Sequence, residues 1–215
     1  RMNAKNFTRD EIIRAISKCH EKGVRVYVTL NTLLTDRIIS EALDFVGFLY
    51  EANCDGLILA DIGFSSLLKD NFTGLELHGS TQMSGHSVGA AQFLKERGFS
   101  RMVLAREMDC ENIATLCKES PLETELFVHG AICASASGQC LMSSMIGDRS
   151  GNRGECAQPC RLPYNGGKYP ISFRDLSLAK HIPEILKLGV SSLKIEGRMK
   201  SPEYVYTVAR TWRTL

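Results

Sequence analysis

Short apolar runs alternate along the chain with longer stretches in which apolar residues recur every three or four positions. Runs of the first kind, bounded by Gly, Asn and Asp, are typical of β-strands, and the second spacing is typical of amphipathic helices. Seven runs predict strands: residues 24–30, 56–60, 75–78, 101–105, 125–129, 169–173 and 192–195.

The amphipathic stretches between these runs predict helices. The longest covers residues 36–51, and shorter ones cover residues 89–97 and 112–119. Gly23 and Gly98 stand where the left-handed residue that ends a helix is expected. Strands and helices therefore alternate, which favours a parallel sheet covered by helices.

The predicted fold class is α/β, and within it a TIM-type (β/α)8 barrel that is incomplete at its N-terminus. Repeats of roughly 25–30 residues suit successive barrel units. The rival is an open doubly wound sheet, but no Gly-x-Gly-x-x-Gly follows an early strand. Seven strands leave the barrel one short, so we expect the first strand to precede Arg1. Because the chain does not start with Met, we expect residues 1–215 to be a single TIM-like barrel domain and a fragment of a longer protein.

Residues 130–168 interrupt the alternation, and we call them the Cys-rich segment. Gly, Ser, Asn, Pro and Cys dominate this segment, and it contains no clear strand–helix pair. Long irregular segments inside compact domains are usually functional. Because the segment follows the strand that ends at His129, a barrel would place it over the carboxyl-terminal face, where barrel active sites form. We predict that it is an irregular insertion in the barrel.

Composition narrows the class of protein. Hydrophobic residues make up 44% of the chain, which is enough for a sizeable core. The net charge is +2, from 26 basic and 24 acidic residues, so a strongly basic nucleic-acid wrapper is excluded while a local basic patch is not. No run approaches the ~18 apolar residues of a membrane span, and no signal peptide opens the chain. We therefore expect a cytoplasmic protein.

Clustered cysteines indicate metal or redox chemistry, because the chain has 8 cysteines and no secretory signal. Four are scattered and look like small buried hydrophobic residues: Cys19, Cys54, Cys110 and Cys117. The other four lie in the Cys-rich segment: Cys133, Cys140, Cys156 and Cys160. Their spacing suits one soft metal centre, either an iron–sulfur cluster or Zn²⁺, and does not choose between them. The alternative is a set of incidental loop thiols.

Polar residues follow several predicted strands and predict one pocket at the barrel mouth. The candidate catalytic residues are His78, Gln82, His129 and Glu196. The candidate substrate-binding residues are Asn31, Lys194 and Arg198. A period of two places Lys194, Glu196 and Arg198 on one side of the last strand, where the two basic residues would hold a carboxylate or phosphate. The alternative is an internal ion network at the barrel rim.

Three arginines flank the later cysteines, namely Arg149, Arg153 and Arg161. They can attract an acidic partner such as RNA. Equally, they can form a solvated loop face. The sequence has no RNA-binding aromatic signature, so composition alone gives only a weak indication of RNA.

Five stretches together resemble the collagenase-like peptidases, peptidase family U32. They are LHGSTQM at 77–83, ELFVHGAIC at 125–133, GQCLMS at 138–143, NRGECAQPCR at 152–161 and SLKIEGRMK at 192–200. The resemblance covers nearly the whole chain. It implies either a collagen-degrading, metal-dependent endopeptidase or an enzyme of oxygen-independent hydroxylation. The hydroxylating members act on a tRNA wobble uridine, a ribosomal RNA cytidine or a quinone precursor.

The resemblance also implies a cofactor and a co-substrate. In hydroxylating members cysteines hold a [4Fe–4S] cluster, and prephenate is implicated as the oxygen source of the RNA reactions. Related sequences commonly have a cysteine where this chain has Ser177. If that cysteine is a cluster ligand in them, either Cys160 replaces it here or the cluster is absent.

The cysteines favour hydroxylation over proteolysis, because the chain has no Gly-x-Ser-x-Gly and no His-Glu-x-x-His. The leading hypothesis is an iron–sulfur-dependent enzyme that hydroxylates a pyrimidine base in tRNA or rRNA. The alternatives are a collagenase-like peptidase with a peptide substrate, and a non-catalytic binding module. Zinc is the alternative to the cluster.

Overall fold

The computed structural model describes residues 6–198 and 200–215. The helices are α1 (Arg9–His20), α2 (Asp36–Glu51), α3 (Ile62–Asn71), α4 (Val88–Glu96), α5 (Cys110–Glu119), α6 (Met142–Gly147), α7 (Ile182–Lys187) and α8 (Pro202–Thr214). The strands are β1 (Tyr27–Leu30), β2 (Gly56–Leu59), β3 (Glu76–Gly79), β4 (Phe99–Val103), β5 (Glu123–Gly130), β6 (Leu176–Ser177) and β7 (Ser192–Ile195).

Side-chain caps fix where several helices begin. Thr8 and Glu11 form a reciprocal capping box at the start of α1. The side chains of Asp61, Ser87 and Asp109 each accept a backbone N–H in the first turn of α3, α4 and α5. The left-handed residues expected after α1 and α4 are confirmed, with φ of 66° at Gly23 and 84° at Gly98.

Six strands form a parallel sheet in the order β1-β2-β3-β4-β5-β7, and β6 pairs antiparallel with β5. This sequential order excludes the doubly wound rival, in which the strand order reverses. The sheet is a curled half-barrel. In the described part of the chain no ladder joins β1 to β7, so barrel closure by an eighth strand stays a prediction.

The hydrophobic core lies between the helices and one face of the sheet. Buried strand residues in it are Leu57, Leu59, Leu77, Phe99, Met102, Leu126 and Val128. Buried residues of α1 to α5 and α7 belong to the same cluster, and Trp212 of α8 packs on it. All these helices therefore share one side of the sheet. We call the opposite side the inner face; alternate strand residues point to it.

The predicted strand at residues 169–173 is wrong. Residues 169–173 form no strand, and β6 follows as a two-residue pair, Ser177 with His129 and Leu176 with Gly130. The aromatic and β-branched residues suit a strand, but Pro170 has no N–H for a ladder. The expectation of an all-parallel set of seven strands fails at the same place.

The Cys-rich segment contains one short helix, α6, and two 3-10 turns, Gly151–Arg153 and Pro159–Arg161. A single bridge joins Tyr164 to Lys168 near its end. Its backbone is irregular, with left-handed residues at Asp148 and Gln158. Over the described residues, no helix is both long enough and apolar enough to cross a bilayer.

Candidate active site at the carboxyl edge of the sheet

Buried charges line the inner face. The Arg101 guanidinium lies 2.5 Å from Glu123 and 3.4 Å from Glu125. Glu125 also contacts the Lys194 ammonium at 2.5 Å and accepts a hydrogen bond from the Ser192 hydroxyl at 3.1 Å. The network therefore joins β4, β5 and β7 through their side chains as well as through their backbones.

Lys194 neutralises a buried carboxylate in this network. Burial alone raises the pKa of Glu125, but Lys194, Ser192 and Arg101 outweigh burial and hold that pKa below its usual range. The Lys194 ammonium is paired with Glu125. Lys194 therefore belongs to an internal ion network, which was the alternative to binding an anion.

His78 is buried on the inner face with its Nε2 atom 3.1 Å from the Glu76 carboxylate. Its ring lies 4.5 Å from the Tyr27 ring, between centroids. Burial, together with the nearby Arg101 charge, lowers the pKa of His78 despite the Glu76 partner. The imidazole is therefore neutral near pH 7 and able to hold or pass one proton.

Asn31 and Gln82 meet at the carboxyl ends of β1 and β3, linked by Ser80. The Asn31 side-chain amide donates to the Ser80 hydroxyl oxygen at 3.3 Å, and the Gln82 backbone N–H donates to the same oxygen at 3.3 Å. Ser80 is buried. The structure thus brings two of the predicted site residues to one edge.

The Cys-rich segment is tied to this edge at Ser137. Its hydroxyl donates to Glu107 at 2.8 Å and accepts the Arg106 backbone N–H at 3.1 Å. Burial raises the pKa of Glu107, but hydrogen bonds from Ser137 outweigh it and lower that pKa. Gly138 lies on the Gln82 backbone so closely that a Cβ there would overlap the Gln82 carbonyl. Glycine is therefore required at 138, where φ is also +77°.

Three cysteines of the segment lie near one another. Burial raises the pKa of the Cys160 thiol, and the Cys133 and Cys156 thiols raise it further. The backbone of Cys140 is in the same region, since a Cβ on Gly151 would be 3.8 Å from the Cys156 Cβ and 3.9 Å from the Cys140 carbonyl oxygen. The geometry therefore joins cysteines that are up to 27 positions apart.

Two groups donate to the Cys156 sulfur. They are the Ser143 hydroxyl at 3.8 Å and the Gln158 backbone N–H at 3.3 Å. Among the described residues, no three His, Cys, Asp or Glu side chains are arranged closely enough to hold a metal ion. As a donor set, however, the Cys133, Cys156 and Cys160 thiols, with Cys140 in the same segment and N–H and O–H donors around the Cys156 sulfur, suit a soft metal centre or an iron–sulfur cluster.

His129 faces the helices. Its ring lies 6.2 Å from Tyr204 and 6.1 Å from Trp212 of α8, between centroids. A register shift in β5 between Phe127 and His129 accounts for this orientation, because a bulge changes the side to which the following residue points. The structure therefore does not bring His129 to His78.

The period-two placement of Glu196 and Arg198 is wrong, because β7 ends at Ile195. Glu196 lies against Gly130, and its carboxylate accepts the backbone N–H of Arg198 at 3.0 Å. The Arg198 side chain is exposed. The structure does not bring Lys194, Glu196 and Arg198 together around one anion site.

A cleft of about 450 Å³ opens beside the end of β1. Asn31 lines it together with Thr29, Thr32, Arg153 and Glu155. The two last residues belong to the Cys-rich segment, so the cleft lies between the segment and the sheet.

Of the scattered cysteines, Cys54 is buried and Cys19 and Cys117 are half-buried, but Cys110 is exposed, contrary to expectation.

Sequence reasoning missed Glu76, Arg101 and Glu125. The signal was present as charged residues at alternate strand positions, in Glu76-x-His78 and Glu123-x-Glu125. This alternation indicates a polar face opposite the apolar one.

The sequence and the fold of this chain are similar to those of known proteins. The sequence model of Peptidase family U32 matches residues 1–215. The chain is 36% identical to the tRNA hydroxylation protein P1 of Bacillus subtilis, over 99% of this chain and 54% of that protein. It is also 36% identical to the 23S rRNA 5-hydroxycytidine C2501 synthase of Escherichia coli, over 100% of this chain and 34% of that protein.

A solved structure described as the U32 peptidase Mk0906 has the same fold, with a TM-score of 0.61 and 13% identity. That likeness covers 90% of this chain and 77% of the other. These findings define an α/β half-barrel protein with a cysteine-bearing edge.

The chain belongs to Peptidase family U32, which confirms the resemblance drawn from its motifs. It spans about half the length of one curated relative and about a third of the other.

Proposed function

We propose that this chain is part of an iron–sulfur-dependent enzyme that hydroxylates a pyrimidine base in tRNA or rRNA. The observation that carries the proposal is the grouping of the Cys133, Cys156 and Cys160 thiols in a segment that Ser137 ties to the carboxyl edge of the sheet. The names of two relatives support RNA hydroxylation as the reaction class.

Cys133, Cys140, Cys156 and Cys160 would hold the cluster. When bound, an iron–sulfur cluster supplies one-electron transfer. The chain contributes the hydrogen bonds from Ser143 and Gln158, which would fix and tune the Cys156 ligand. Ser177 of β6 pairs with His129 of β5. If a cysteine at that position is a cluster ligand in related sequences, Cys160 would replace it here.

Hydroxylation replaces a ring C–H by C–OH, so the base loses two electrons and gains one oxygen atom. The reaction therefore needs an oxygen donor, and we propose a small anionic co-substrate of the class to which prephenate belongs. Arg153 suits its binding, because it lines the cleft and its guanidinium has no ion pair among the described residues. Asn31 adds an amide to the same cleft.

Mass spectrometry of tRNA and rRNA from a deletion strain tests the proposal. We expect a hydroxylated pyrimidine to be lost, to return with the wild-type gene, and to stay lost with Cys133→Ala. Cys110→Ala is the matched control, because that exposed cysteine lies on α5 outside the segment, and it should restore the modification. Unchanged RNA in the deletion strain would contradict the proposal.

The family name and the Mk0906 description keep a peptidase as the alternative. In the described residues no serine hydroxyl or cysteine thiol is hydrogen-bonded to a histidine ring; His20 and His78 pair with Asp55 and Glu76. The geometry thus gives no specific observation in favour of proteolysis. A cytoplasmic location likewise stays a prediction.

A further inference from the structure

The loop after the Cys-rich segment exposes two aromatic rings. Tyr169 is 58% exposed and Phe173 is 54% exposed, although neither lies on a helix or strand. Ile171, which lies between them in the chain, is exposed as well. Large apolar side chains grouped in this way usually mark a binding surface. We call residues 168–174 the aromatic loop.

Unpaired cations flank these rings. Lys168 immediately precedes Tyr169, and Arg174 immediately follows Phe173. Both are exposed, and neither forms an ion pair among the described residues. Between residues 168 and 174 there is no acidic residue. The loop therefore offers aromatic faces and free positive charge together.

The backbone of the loop is held in place. The Arg161 guanidinium donates to the Phe173 carbonyl and, at 3.2 Å, to the Ile132 carbonyl. Tyr164 pairs with Lys168, and its hydroxyl donates to the Pro159 carbonyl at 2.9 Å. A fixed loop presents its rings with little loss of conformational freedom on binding.

The loop also adjoins the cysteines. Arg161, which anchors Phe173, directly follows Cys160, and Ile132 directly precedes Cys133. The next strand, β6, returns to the carboxyl end of β5. The Phe173 end of the aromatic loop is therefore anchored to residues that adjoin Cys133 and Cys160 in the chain.

We propose that the aromatic loop binds unpaired nucleotides of RNA, with bases stacked on Tyr169 and Phe173 and phosphates held by Lys168 and Arg174. Stacking on exposed rings beside cations is the usual way in which proteins hold single-stranded RNA. An apolar protein partner would leave the two cations without a role. This inference rests on the proposed function and names the surface that would bring the substrate to that site.

Binding of a fluorescent, pyrimidine-rich single-stranded RNA oligonucleotide to the full-length protein tests the proposal. Tyr169→Ala and Phe173→Ala should each weaken binding about 5- to 100-fold, the range for loss of one stacked base. Phe173→Leu should weaken it similarly, because leucine keeps the apolar area and loses the ring. Tyr206→Ala, which removes an equally exposed ring on α8, should change nothing.

Salt dependence separates the cations from the rings. Lys168→Ala and Arg174→Ala should each reduce the slope of log affinity against log salt by about 0.7. Arg37→Ala, an exposed arginine on α2, should leave the slope unchanged. Full affinity in Tyr169→Ala and Phe173→Ala would overturn the proposal. Full affinity in Phe173→Leu would also overturn it, because it would show that apolar area and not ring stacking holds the RNA.

The two proposals fail separately. Suppose that the oligonucleotide binds as expected while RNA modifications are the same with and without the gene. In that case the binding surface stands and the proposed reaction is wrong. If the modification depends on the gene but the ring variants bind RNA like the wild type, the reaction stands and the surface is wrong.

Discussion

Leu57 and Leu141 show how differently two regions of this molecule are built. Leu57 lies in β2 and is fully buried among the helices, whereas Leu141 precedes α6 in the Cys-rich segment and is 62% exposed. The strands are stabilised by burial of apolar area. The segment is held instead by a few polar contacts, of which those of Ser137 are the most buried. We infer that stability lies in the strands and chemistry in the segment.

Replacing the two leucines should give the largest expected difference in unfolding free energy. Leu57→Ala should lower the free energy of unfolding by about 2–5 kcal/mol, because it removes buried methyl groups and leaves a cavity. Leu141→Ala should change it by less than about 0.5 kcal/mol. Urea denaturation measures both. Equal losses in the two variants would end the distinction between the regions.

Removing a charge from the inner face should give the second largest loss of stability. Glu125→Gln should cost about 3 kcal/mol of unfolding free energy, since it leaves Lys194 and Arg101 with one carboxylate fewer in a buried network. Glu119→Gln, at an exposed position on α5, is the matched control and should be nearly neutral. A neutral Glu125→Gln would show that the network does not hold β5 and β7 together.

Loss of the Ser137 hydrogen bonds should loosen the Cys-rich segment and leave the sheet unaffected. Ser137→Ala removes the hydrogen bonds to Glu107 and Arg106, worth about 1–3 kcal/mol when buried groups lose their partners. Hydrogen exchange should become faster in residues 130–168 while the strands keep their protection. Ser135→Ala has no side-chain hydrogen bond to lose in the described part of the chain, so it should leave exchange unchanged. Faster exchange throughout the sheet would contradict the separation.

The smallest effect concerns pH. The folded-state pKa of His78 lies below its ordinary value of 6.5, so the unfolded chain binds the proton more readily. Stability contributed by neutral His78 is therefore lost as the pH falls through 6.5 towards the folded pKa. His78→Gln should flatten the decline of unfolding free energy in that window. An unchanged slope would show that His78 is protonated equally in both states.

The strands were largely predictable because each buries alternate residues against helices, and that period is visible in the sequence. The strand expected at residues 169–173 failed because propensity describes side-chain shape and not the presence of a pairing partner. That the Cys-rich segment follows β5 is visible in the sequence, whereas its being an insertion in a closed barrel stays a prediction. The orientation of His129 was not predictable, since a register shift in β5 is set by its pairing with β7.

The structure brings together only some of the residues predicted to form one pocket. Asn31 and Gln82 meet through Ser80, because both follow parallel strands at the same edge. Lys194 instead pairs with Glu125, a residue of another strand whose inward direction the apolar pattern did not reveal. Long-range ion pairs of this kind depend on strand order and register, which the sequence does not state.

Metal analysis of the full-length protein, purified without oxygen, shows whether the Cys-rich segment holds an iron–sulfur cluster. We predict a brown protein with about four iron and four sulfide per chain, bound by the four cysteines. Cys133→Ala should lose both iron and sulfide, and Cys110→Ala should keep them. A colourless protein that contains stoichiometric zinc, or no metal at all, would contradict the account.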